Sequence, residues 1–416
     1  MDSIHIDGGV SLKGQVKIQG SKNAVLPILS ATLLIEGVSL IHNCPKISDV
    51  YKMLTLMKCL GSRILWEGNS LRIDNRNIKY SILPKKEVTG MRSSILLAGS
   101  MLARVGSVDI EYPGGCVIGK RPVDFHLQAF RKMGVQIAEK EQGFHAFCDR
   151  LKGTIQELSF PSVGVTENIL LGAVLADGIT IVENAAKEPE VVALCEFLKA
   201  AGAKINGIGS GVLMIEGVSK LRECQYEAPS DRIVAGTYLL AGMITGGDIF
   251  LEKAPANHLQ ALLDLLKRMG GQYHIMPDGI YLQASGNILP LPKVETAVYP
   301  GFPTDLQSPL MAVLSVAEGT SILTETVFEN RFRIAQPLES MGAKIVIRNN
   351  SAYIEGVERL TGGTVYAEEL RGGAALVIAG LKARGTTIIK NCQYIERGYV
   401  NIGNDLRELG ARVYCV

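Results

Sequence analysis

Residues 37–43 read GVSLIHN and residues 58–64 read KCLGSRI, and together they contain the signals that decide the fold. The first stretch is a glycine that opens a β-branched run, which is typical of a strand. The second is a glycine that ends a helical run, which is typical of a helix C-terminus. The pair recurs about every 70 residues. The opening glycines are Gly37, Gly106, Gly178, Gly247, Gly319 and Gly385, and the closing glycines are Gly61, Gly134, Gly202, Gly270, Gly342 and Gly410. Six copies at one period predict six similar units.

Each unit reads as a leading strand, an apolar helix, a strand, an amphipathic helix and a two-stranded hairpin, which is a βαβαββ-type pattern. The apolar helices begin near Ser21, Met91, Thr166, Ser230, Thr304 and Glu369. The amphipathic helices span 47–60, 122–133, 189–201, 257–269, 330–341 and 398–409. Most of the apolar helices are apolar nearly all round, so we expect them at the centre of an α/β domain. This argues against the alternative, a solenoid, in which stacked repeats would expose them.

The two ends of the chain are predicted to complete one unit between them. The sixth copy stops after a single hairpin strand at 411–416, which leaves an edge that needs a partner. Residues 3–19 match the corresponding segment of another copy, 351–367, yet lack a first half of their own. We therefore expect residues 1–21 to complete the last unit. The six units then divide into two domains of three, one at 22–229 and one formed by 230–416 with 1–21, joined by a hinge.

Composition excludes several classes of protein. The chain has 416 residues, more than one hydrophobic core usually serves, and its 43 Lys and Arg nearly balance 41 Asp and Glu. It therefore lacks the basic field of a dedicated nucleic-acid binder. The start shows no signal peptide, and the apolar helices are too short for membrane insertion, so we expect a cytoplasmic protein. Eight cysteines without C-x-x-C and six histidines without H-x-x-x-H predict reduced thiols and no metal site.

The stretch PGGCVIGKRPVDFH at 113–126 combines a thiol, two cations, an acid and an imidazole in a glycine-rich loop. Lys120 and Arg121 offer positive charge to an anion and favour the thiolate of Cys116. The pattern indicates a mobile loop that faces an anionic ligand. The alternative is a surface turn around a buried free cysteine, because free cysteine is among the most buried residue types.

Cations stand at the N-terminal ends of four apolar helices, where the helix dipole is already positive. They are Lys22, Arg92, Arg232 and Arg371. Such an arrangement opposes stability unless an anion is held there, so it predicts an anion site in a cleft between the domains. Ser230 and Thr304 at similar positions have the alternative role of ordinary helix caps.

Further charged residues lie where strands lead into helices. Arg121, Arg331 and Arg397 can grip phosphate or carboxylate through two hydrogen bonds, although any one of them could instead form a surface salt bridge. Asp305 lies at a helix start after the turn Gly301-Phe302-Pro303. It is a candidate helix cap or a candidate general base.

Nine stretches resemble the UDP-N-acetylglucosamine enolpyruvyltransferase family, a sister of 5-enolpyruvylshikimate-3-phosphate synthase. They are GSKNAVLPILSATLL at 20–34, MRSSILLAG at 91–99, the 113–126 loop, SVG at 162–164, ENAAKEPEVV at 183–192, FPTDLQ at 302–307, TETVFENRF at 324–332, LRGGAALVIAGL at 370–381 and ERGY at 396–399. The cysteine loop separates this family from the shikimate enzyme. The resemblance implies two inside-out α/β barrel domains.

The resemblance also implies an activity: transfer of enolpyruvyl from phosphoenolpyruvate to the 3′-hydroxyl of UDP-N-acetylglucosamine, with release of phosphate and without a cofactor. This is the first committed step of peptidoglycan synthesis, which supports cell shape and division, and it is the target of fosfomycin. A shikimate-type transferase and a catalytically weak paralogue that binds the nucleotide sugar remain as alternatives.

Roles follow from the resemblance by motif. Cys116 would add to phosphoenolpyruvate or protonate its methylene carbon, and Asp305 would take the proton of the sugar hydroxyl. Lys22, Arg121 and Arg397 would hold the phosphate and carboxylate of phosphoenolpyruvate. Around the same centre would lie Arg92, Arg331, Glu369 and Arg371. The nucleotide sugar would contact Asn23, Arg121, Pro122, Val123, Asp124, His126, Ser162, Val163, Gly164, Asp305 and Val327.

Two positions depart from the family pattern. The family usually has Asp where this chain has Glu369, whose side chain is one methylene longer. Phe160 stands where many members carry a cation near the nucleotide. We therefore expect altered reach at the first position and altered uridine or diphosphate contacts at the second.

Overall fold

A computed structural model describes residues 2–79, 83–114 and 123–416. They form two compact units. The first unit contains residues 20–79, 83–114 and 123–229, and the second contains residues 2–19 and 230–416. Each unit has its own hydrophobic core. In the described ranges, no helix combines the length and the apolar character needed to cross a membrane.

Three buried helices, here called the core helices, lie at the centre of each unit. In the first unit they are Lys22–Thr32, Leu96–Val105 and Val163–Ala173, and in the second they are Arg232–Thr245, Gln307–Leu314 and Leu370–Lys382. Two of them follow 3₁₀ turns, Arg92–Ile95 and Thr304–Leu306. Nearly all of their residues are buried, which confirms the position predicted from their apolar sequences.

The third core helix begins earlier than predicted. We expected a start near Thr166, but the helix begins at Val163, because Ser162 already has the extended backbone of an N-cap residue. The cap of the fourth core helix also differs from the expectation. Asp231, not Ser230, accepts hydrogen bonds from the backbone N–H groups of Ile233 at 2.8 Å and Val234 at 3.1 Å.

The amphipathic segments form outer helices at or near the predicted places. They are Ser48–Cys59, Asp124–Lys132, Pro189–Ala200, Gln260–Arg268, Ala335–Ser340 and Ile402–Glu408. Shorter helical segments are Lys85–Thr89, Ala256–His258, Arg331–Ile334 and Cys392–Arg397. All six closing glycines have φ values between 85° and 108°, a backbone region that favours glycine. This confirms their role at the ends of the helices.

Six sheets surround the core helices, three in each unit. In the first unit, one sheet has the strand order Cys224–Glu227, Val38–His42, Ser70–Asp74, Arg63–Glu67. A second has the order Ser107–Glu111, Gly143–Phe147, Gln136–Lys140. The third has the order Lys204–Asn206, Val212–Glu216, Ile179–Glu183, Ile155–Glu157. In the second unit, one sheet has the strand order Gln272–Met276, Gly279–Gln283, Asp248–Glu252, Lys13–Lys17. Another has the order Val294–Glu295, Thr320–Thr324, Ser351–Glu355, Lys344–Arg348. The last has the order Thr364–Tyr366, Thr386–Lys390, Ser3–Asp7, Arg412–Cys415.

The strand Ser3–Asp7 occupies an interior position in the last of these sheets. It pairs antiparallel with Thr386–Lys390 on one side and with Arg412–Cys415 on the other, so that Ile6 faces Thr387 and Val413. The next strand, Lys13–Lys17, pairs parallel with Asp248–Glu252 in a different sheet of the same unit. The first residues of the chain therefore contribute to two sheets of the second unit.

Candidate active site

Asp305 in the second unit is held by two arginine side chains. One carboxylate oxygen, Oδ1, accepts a hydrogen bond from Arg331 Nη2 at 2.5 Å. The other, Oδ2, accepts from Arg371 Nη2 at 2.9 Å and from Arg371 Nε at 3.2 Å. The side chains of Arg331 and Arg371 are 2% and 3% exposed, whereas that of Asp305 is 25% exposed. The alternative of a surface salt bridge is therefore excluded for Arg331.

The fold brings the three residues together from separate places in the chain. Asp305 lies in the 3₁₀ turn before one core helix, Arg371 lies in the first turn of another, and Arg331 opens the 3₁₀ segment Arg331–Ile334. The N-cap position of this 3₁₀ turn is held by Pro303 and not by Asp305. Burial by itself would lower the pKa of Arg371, but the negative charge of Asp305 raises it above its ordinary value. Both arginines are therefore charged donors fixed beside one acid.

Glu369 serves as the N-cap of the last core helix. Its Oε2 accepts a hydrogen bond from the backbone N–H of Arg371 at 2.7 Å, and its Oε1 accepts one from that of Gly372. The same Oε2 lies 3.9 Å from Arg331 Nη1. Glutamate at this position thus reaches both the helix end and the guanidinium of Arg331. Its negative charge also complements the positive end of the helix dipole.

Three of the four helix-end cations, Lys22, Arg232 and Arg371, have a counter-charge or an aromatic partner within the chain. Arg371 is paired with Asp305, and Lys22 Nζ lies 3.4 Å from the Asp49 carboxylate. The guanidinium carbon of Arg232 lies 5.7 Å from the centre of the Tyr299 ring. An anionic ligand is therefore not needed to explain the position of these cations.

Glu325 bonds to residues on either side of the Asp305 site, and the sequence analysis did not identify it. This buried acid receives hydrogen bonds from the hydroxyl groups of Thr296 and Thr304, both at 2.8 Å. It also accepts the backbone N–H groups of Val327 at 2.8 Å and Phe328 at 3.1 Å. Thr304 therefore bonds to Glu325 and is not a helix cap. The clue in the sequence was an acid inside the TETVFENRF stretch, but its partners are fixed only by the fold.

Arg397 is half-buried at the end of the 3₁₀ segment Cys392–Arg397, in the same unit. Gln19 holds the residues that follow it: its Nε2 donates to the carbonyl of Gly398 at 3.0 Å, and its Oε1 accepts from the N–H of Val400 at 2.8 Å. The neighbouring ring of Tyr399 is buried and its hydroxyl is 2.8 Å from Thr237 Oγ1. The backbone after Arg397 is therefore anchored by side-chain contacts.

In the first unit, the start of the helix Lys22–Thr32 presents two half-buried candidate residues, Lys22 and Asn23. Ser21 caps this helix through a 3.4 Å hydrogen bond from the N–H of Ala24. Asp49, the partner of Lys22, is 1% exposed and begins an outer helix. Sequence reasoning did not identify Asp49, because its role depends on the packing of that helix against the core helix.

A second group in the first unit is centred on His126, which is 5% exposed. Its Nδ1 lies 2.8 Å from the side-chain amide nitrogen of Asn168. Its ring carbon Cε1 lies next to Gly164, because a Cβ added to that glycine would be 3.4 Å away. Burial, with the nearby positive charge of Arg92, lowers the pKa of His126 to about 3. The imidazole is therefore neutral at physiological pH.

The other predicted residues of the first unit flank this group. Ser162, Val163 and Gly164 are half-buried at the start of a core helix, and the Ser162 side chain forms no capping hydrogen bond. Val123 and Asp124 begin the outer helix that carries His126, with Val123 buried and Asp124 exposed.

The remaining predicted residues are Phe160, Val327 and four residues of the 113–126 loop. Phe160 is 46% exposed, as expected of a position free to meet a ligand or solvent. Val327 is half-buried on the turn that Glu325 organises. Cys116, Lys120, Arg121 and Pro122 lie outside the described residues.

Comparison with known proteins gives a consistent result over the whole chain. The profile of the family EPSP synthase (3-phosphoshikimate 1-carboxyvinyltransferase) matches residues 6–406. UDP-N-acetylglucosamine 1-carboxyvinyltransferase 2 of Caldanaerobacter subterraneus subsp. tengcongensis is 45% identical over 413 residues, covering 99% of each chain. UDP-N-acetylglucosamine 1-carboxyvinyltransferase 1 of Halalkalibacterium halodurans is 44% identical and covers 99% of this chain and 94% of its own.

Solved structures share the fold at lower sequence identity. The enolpyruvyl transferase NikO from Streptomyces tendae superposes with a TM-score of 0.89 at 23% identity, covering 99% of this chain and 98% of that one. EPSP synthase from Acinetobacter baumannii gives 0.77 at 21% identity, covering 100% and 99%. These likenesses confirm the two-domain α/β fold class expected from the sixfold repeat. The family profile and the full-length relatives show that this chain belongs to the UDP-N-acetylglucosamine 1-carboxyvinyltransferases, within the EPSP synthase family.

Proposed function

We propose that this protein transfers the enolpyruvyl group of phosphoenolpyruvate to the 3′-hydroxyl of UDP-N-acetylglucosamine and releases phosphate. The full-length relatives carry the name of this activity. The structural observation that supports it best is the Asp305 carboxylate between two buried arginines. Such a group supplies both an acceptor for a hydroxyl proton and cationic donors for an anionic substrate.

Because of the arginine pair, the basicity of the Asp305 carboxylate depends on whether the substrate is bound. With Arg331 and Arg371 bonded to it, the carboxylate is stabilised as an anion and is a weak base. Arg331 Nε has no hydrogen-bond partner among the described residues, so this guanidinium has donor capacity left. When the phosphate and carboxylate of phosphoenolpyruvate draw the guanidinium groups toward themselves, Asp305 loses part of this stabilisation. It then accepts the proton of the sugar hydroxyl more readily.

The remaining steps use groups assigned by family motif. Cys116 supplies a proton to the methylene carbon of phosphoenolpyruvate, while the sugar oxygen bonds to the adjacent carbon to give a tetrahedral adduct. Loss of phosphate and of the added proton restores the double bond. Lys22, Arg121 and Arg397 hold the phosphate and carboxylate, and Arg92 and Glu369 act near the same centre. Glu369 does so while capping its helix, so its carboxylate is already oriented.

The nucleotide sugar binds through residues that the family motifs identify. In this proposal they are Asn23, Arg121, Pro122, Val123, Asp124, His126, Ser162, Val163, Gly164, Asp305 and Val327. The start of the core helix Val163–Ala173 suits the diphosphate, because its first N–H groups have no partner inside the helix and the dipole is positive there.

The cellular role follows from the same proposal. The product commits the sugar to peptidoglycan, so the protein acts in the cytoplasm and supports cell shape and division. Cys116 would be the site of alkylation by fosfomycin, an epoxide. Because lysine and arginine side chains neutralise the substrate charge, no metal ion is required for catalysis. We expect full activity in the presence of a chelator.

Phosphate release is the direct test. We expect release from phosphoenolpyruvate only when UDP-N-acetylglucosamine is present. Equal release with shikimate-3-phosphate would identify a shikimate-type transferase. Binding of UDP-N-acetylglucosamine without phosphate release would identify a paralogue that has kept only the binding function. Either result would overturn the proposal.

A further inference from the structure

The side-chain amide of Asn168 is fixed by two backbone groups. Its Oδ1 accepts a hydrogen bond from the N–H of Gly99 at 3.1 Å, and its Nδ2 donates to the carbonyl of Ile95 at 3.0 Å. A backbone N–H can only donate and a carbonyl can only accept, so the amide has a single orientation. Asn168 is 1% exposed, and rotating its amide to exchange Oδ1 and Nδ2 would lose both of these hydrogen bonds.

This orientation determines the state of His126. The Nδ2 of Asn168 points a second N–H at His126 Nδ1, 2.8 Å away. An amide nitrogen cannot accept a hydrogen bond, so Nδ1 must be the acceptor and must carry no proton. In a neutral imidazole the proton is then on Nε2. Within the part of the chain that the structure describes, Nε2 forms no hydrogen bond of its own.

The surroundings of His126 keep the ring neutral as well as oriented. The buried ring lies against Asn168 of one core helix, and Asn168 bonds in turn to Gly99 of a second core helix and to Ile95 of the 3₁₀ turn that precedes it. The charged group that acts on it is the guanidinium of Arg92, whose positive charge opposes a second proton. The Nε2–H group is 3.7 Å from the place where a Cβ of Gly164 would stand. A Cβ at this position would be in ordinary van der Waals contact with the ring, so glycine leaves the space beside Nε2 open.

We propose that Asn168 is a positioning residue that holds His126 in the Nε2–H tautomer, so that His126 presents one uncharged hydrogen-bond donor beside Gly164. This inference rests on the proposed function for its ligand. UDP-N-acetylglucosamine offers carbonyl and diphosphate oxygens, all of which accept hydrogen bonds. The fixed tautomer therefore selects an acceptor atom at this place and rejects a donor, because two donors facing each other in a buried site leave both unpaired.

The tautomer can be measured without any assay of activity. We would record multiple-bond ¹H–¹⁵N correlation spectra of the full-length protein labelled with ¹⁵N only at histidine, and assign His126 by its loss in His126→Gln. Between about pH 5.5 and 8.5, we expect a neutral ring with the proton on Nε2. A proton on Nδ1, or a ring that becomes charged in this range, would overturn the assignment.

Asn168→Asp tests the role of Asn168 itself. A carboxylate accepts hydrogen bonds only, so His126 should move its proton to Nδ1 and lose the donor at Nε2. We expect the KM for UDP-N-acetylglucosamine to rise about tenfold and the KM for phosphoenolpyruvate to change less than about twofold. The matched control is Asn75→Asp, since Asn75 is also fully buried in the first unit and donates its amide to Thr32. It should lower the unfolding temperature similarly and leave both KM values unchanged.

If Asn168→Asp does not fold, Asn168→Ser removes the amide donor without adding charge, and the spectrum should then show a mixture of tautomers. An unchanged Nε2–H tautomer in a folded variant would overturn the positioning role. So would a changed tautomer with an unchanged KM for UDP-N-acetylglucosamine. If wild-type protein shows the Nε2–H tautomer but releases no phosphate with this sugar, the proposed function fails while the tautomer assignment stands.

Discussion

Glu325 accepts a hydrogen bond from the hydroxyl of Thr304 at 2.8 Å, one residue before Asp305. The same carboxylate binds the backbone N–H groups of Val327 and Phe328, so one buried acid ties two turns of the candidate site together. A carboxylate that accepts four hydrogen bonds in a buried place has a rigid position. The turn that carries Asp305 is thereby fixed relative to the turn that carries Val327.

Glu325→Ala should weaken both catalysis and stability. It leaves buried donors without an acceptor, each at a cost of about 1–3 kcal/mol, and it frees the Asp305 turn. We expect kcat to fall at least about tenfold, with a lower unfolding temperature. Glu325→Gln is the matched control, because its oxygen keeps three of the contacts and its amide can donate to Thr304. Steady-state kinetics that show equal losses for both variants would contradict this account.

Glu369→Asp restores the residue common in the family. We expect a rate change of less than about tenfold, or roughly 1.4 kcal/mol of barrier, because Glu369 already orients its carboxylate through two backbone N–H groups. Affinity for UDP-N-acetylglucosamine should be nearly unchanged. A hundredfold gain in kcat, measured by phosphate release, would instead identify a protein silenced by the longer side chain.

Cys116→Ala should abolish or severely reduce turnover, whereas Cys116→Asp should retain some, since a carboxyl group can also donate a proton. Cys59→Ala and Cys195→Ala are the controls, because both residues lie on outer helices. Burial raises the pKa of Cys195 to about 12, so this thiol is not expected to react with an epoxide at neutral pH. Mass spectrometry after epoxide treatment should find modification at Cys116. Wild-type turnover of the alanine variant would remove this thiol from the mechanism.

Asp405 should make stability depend on pH. The hydroxyl of buried Tyr238 donates to it at 2.5 Å, and burial raises the pKa of Asp405 to about 6 despite this bond. The folded state then binds a proton more tightly than the unfolded state, so this contribution is complete below about pH 4 and is lost as the pH rises through 6. A rise in the pKa from 3.8 to about 6 corresponds to a free energy of about 3 kcal/mol.

Asp405→Asn removes this titration and keeps an acceptor for Tyr238. The unfolding temperature of the variant minus that of wild type should therefore increase as the pH rises from about 4 to 7. Thermal unfolding of both proteins across this range is the measurement. Parallel curves would show that Asp405 titrates normally.

The sequence predicted the repeated architecture because its signals are local. A closing glycine, an apolar helix and a β-branched run can each be recognised within a few residues, and Gly61 and Gly410 behave as expected. The candidate residues of charged motifs, such as Asp305 and Arg371, were also recognisable. Their partnership was not, because Asp305 and Arg371 are 66 positions apart in the chain.

Residues that position others escaped the sequence reasoning. Asn168 and Asp49 lie outside the quoted motifs, Glu325 lies inside one without a recognisable role, and each acts through contacts made only after helices and turns pack together. Helix caps show the same limit, since Asp231 and not its neighbour Ser230 has the geometry to cap. Predicting them would require the backbone positions to be known first.

The interior position of the strand Ser3–Asp7 sets an order for folding during synthesis. Its neighbours in the sheet, Thr386–Lys390 and Arg412–Cys415, are synthesised long after it, so Ser3–Asp7 must wait for both of them. The described residues of the first unit all lie between positions 20 and 229, so this unit can assemble while the rest is translated. Until the last strand emerges, Ile4 and Ile6 have no core to enter, and a nascent chain stalled before that point offers them to chaperones.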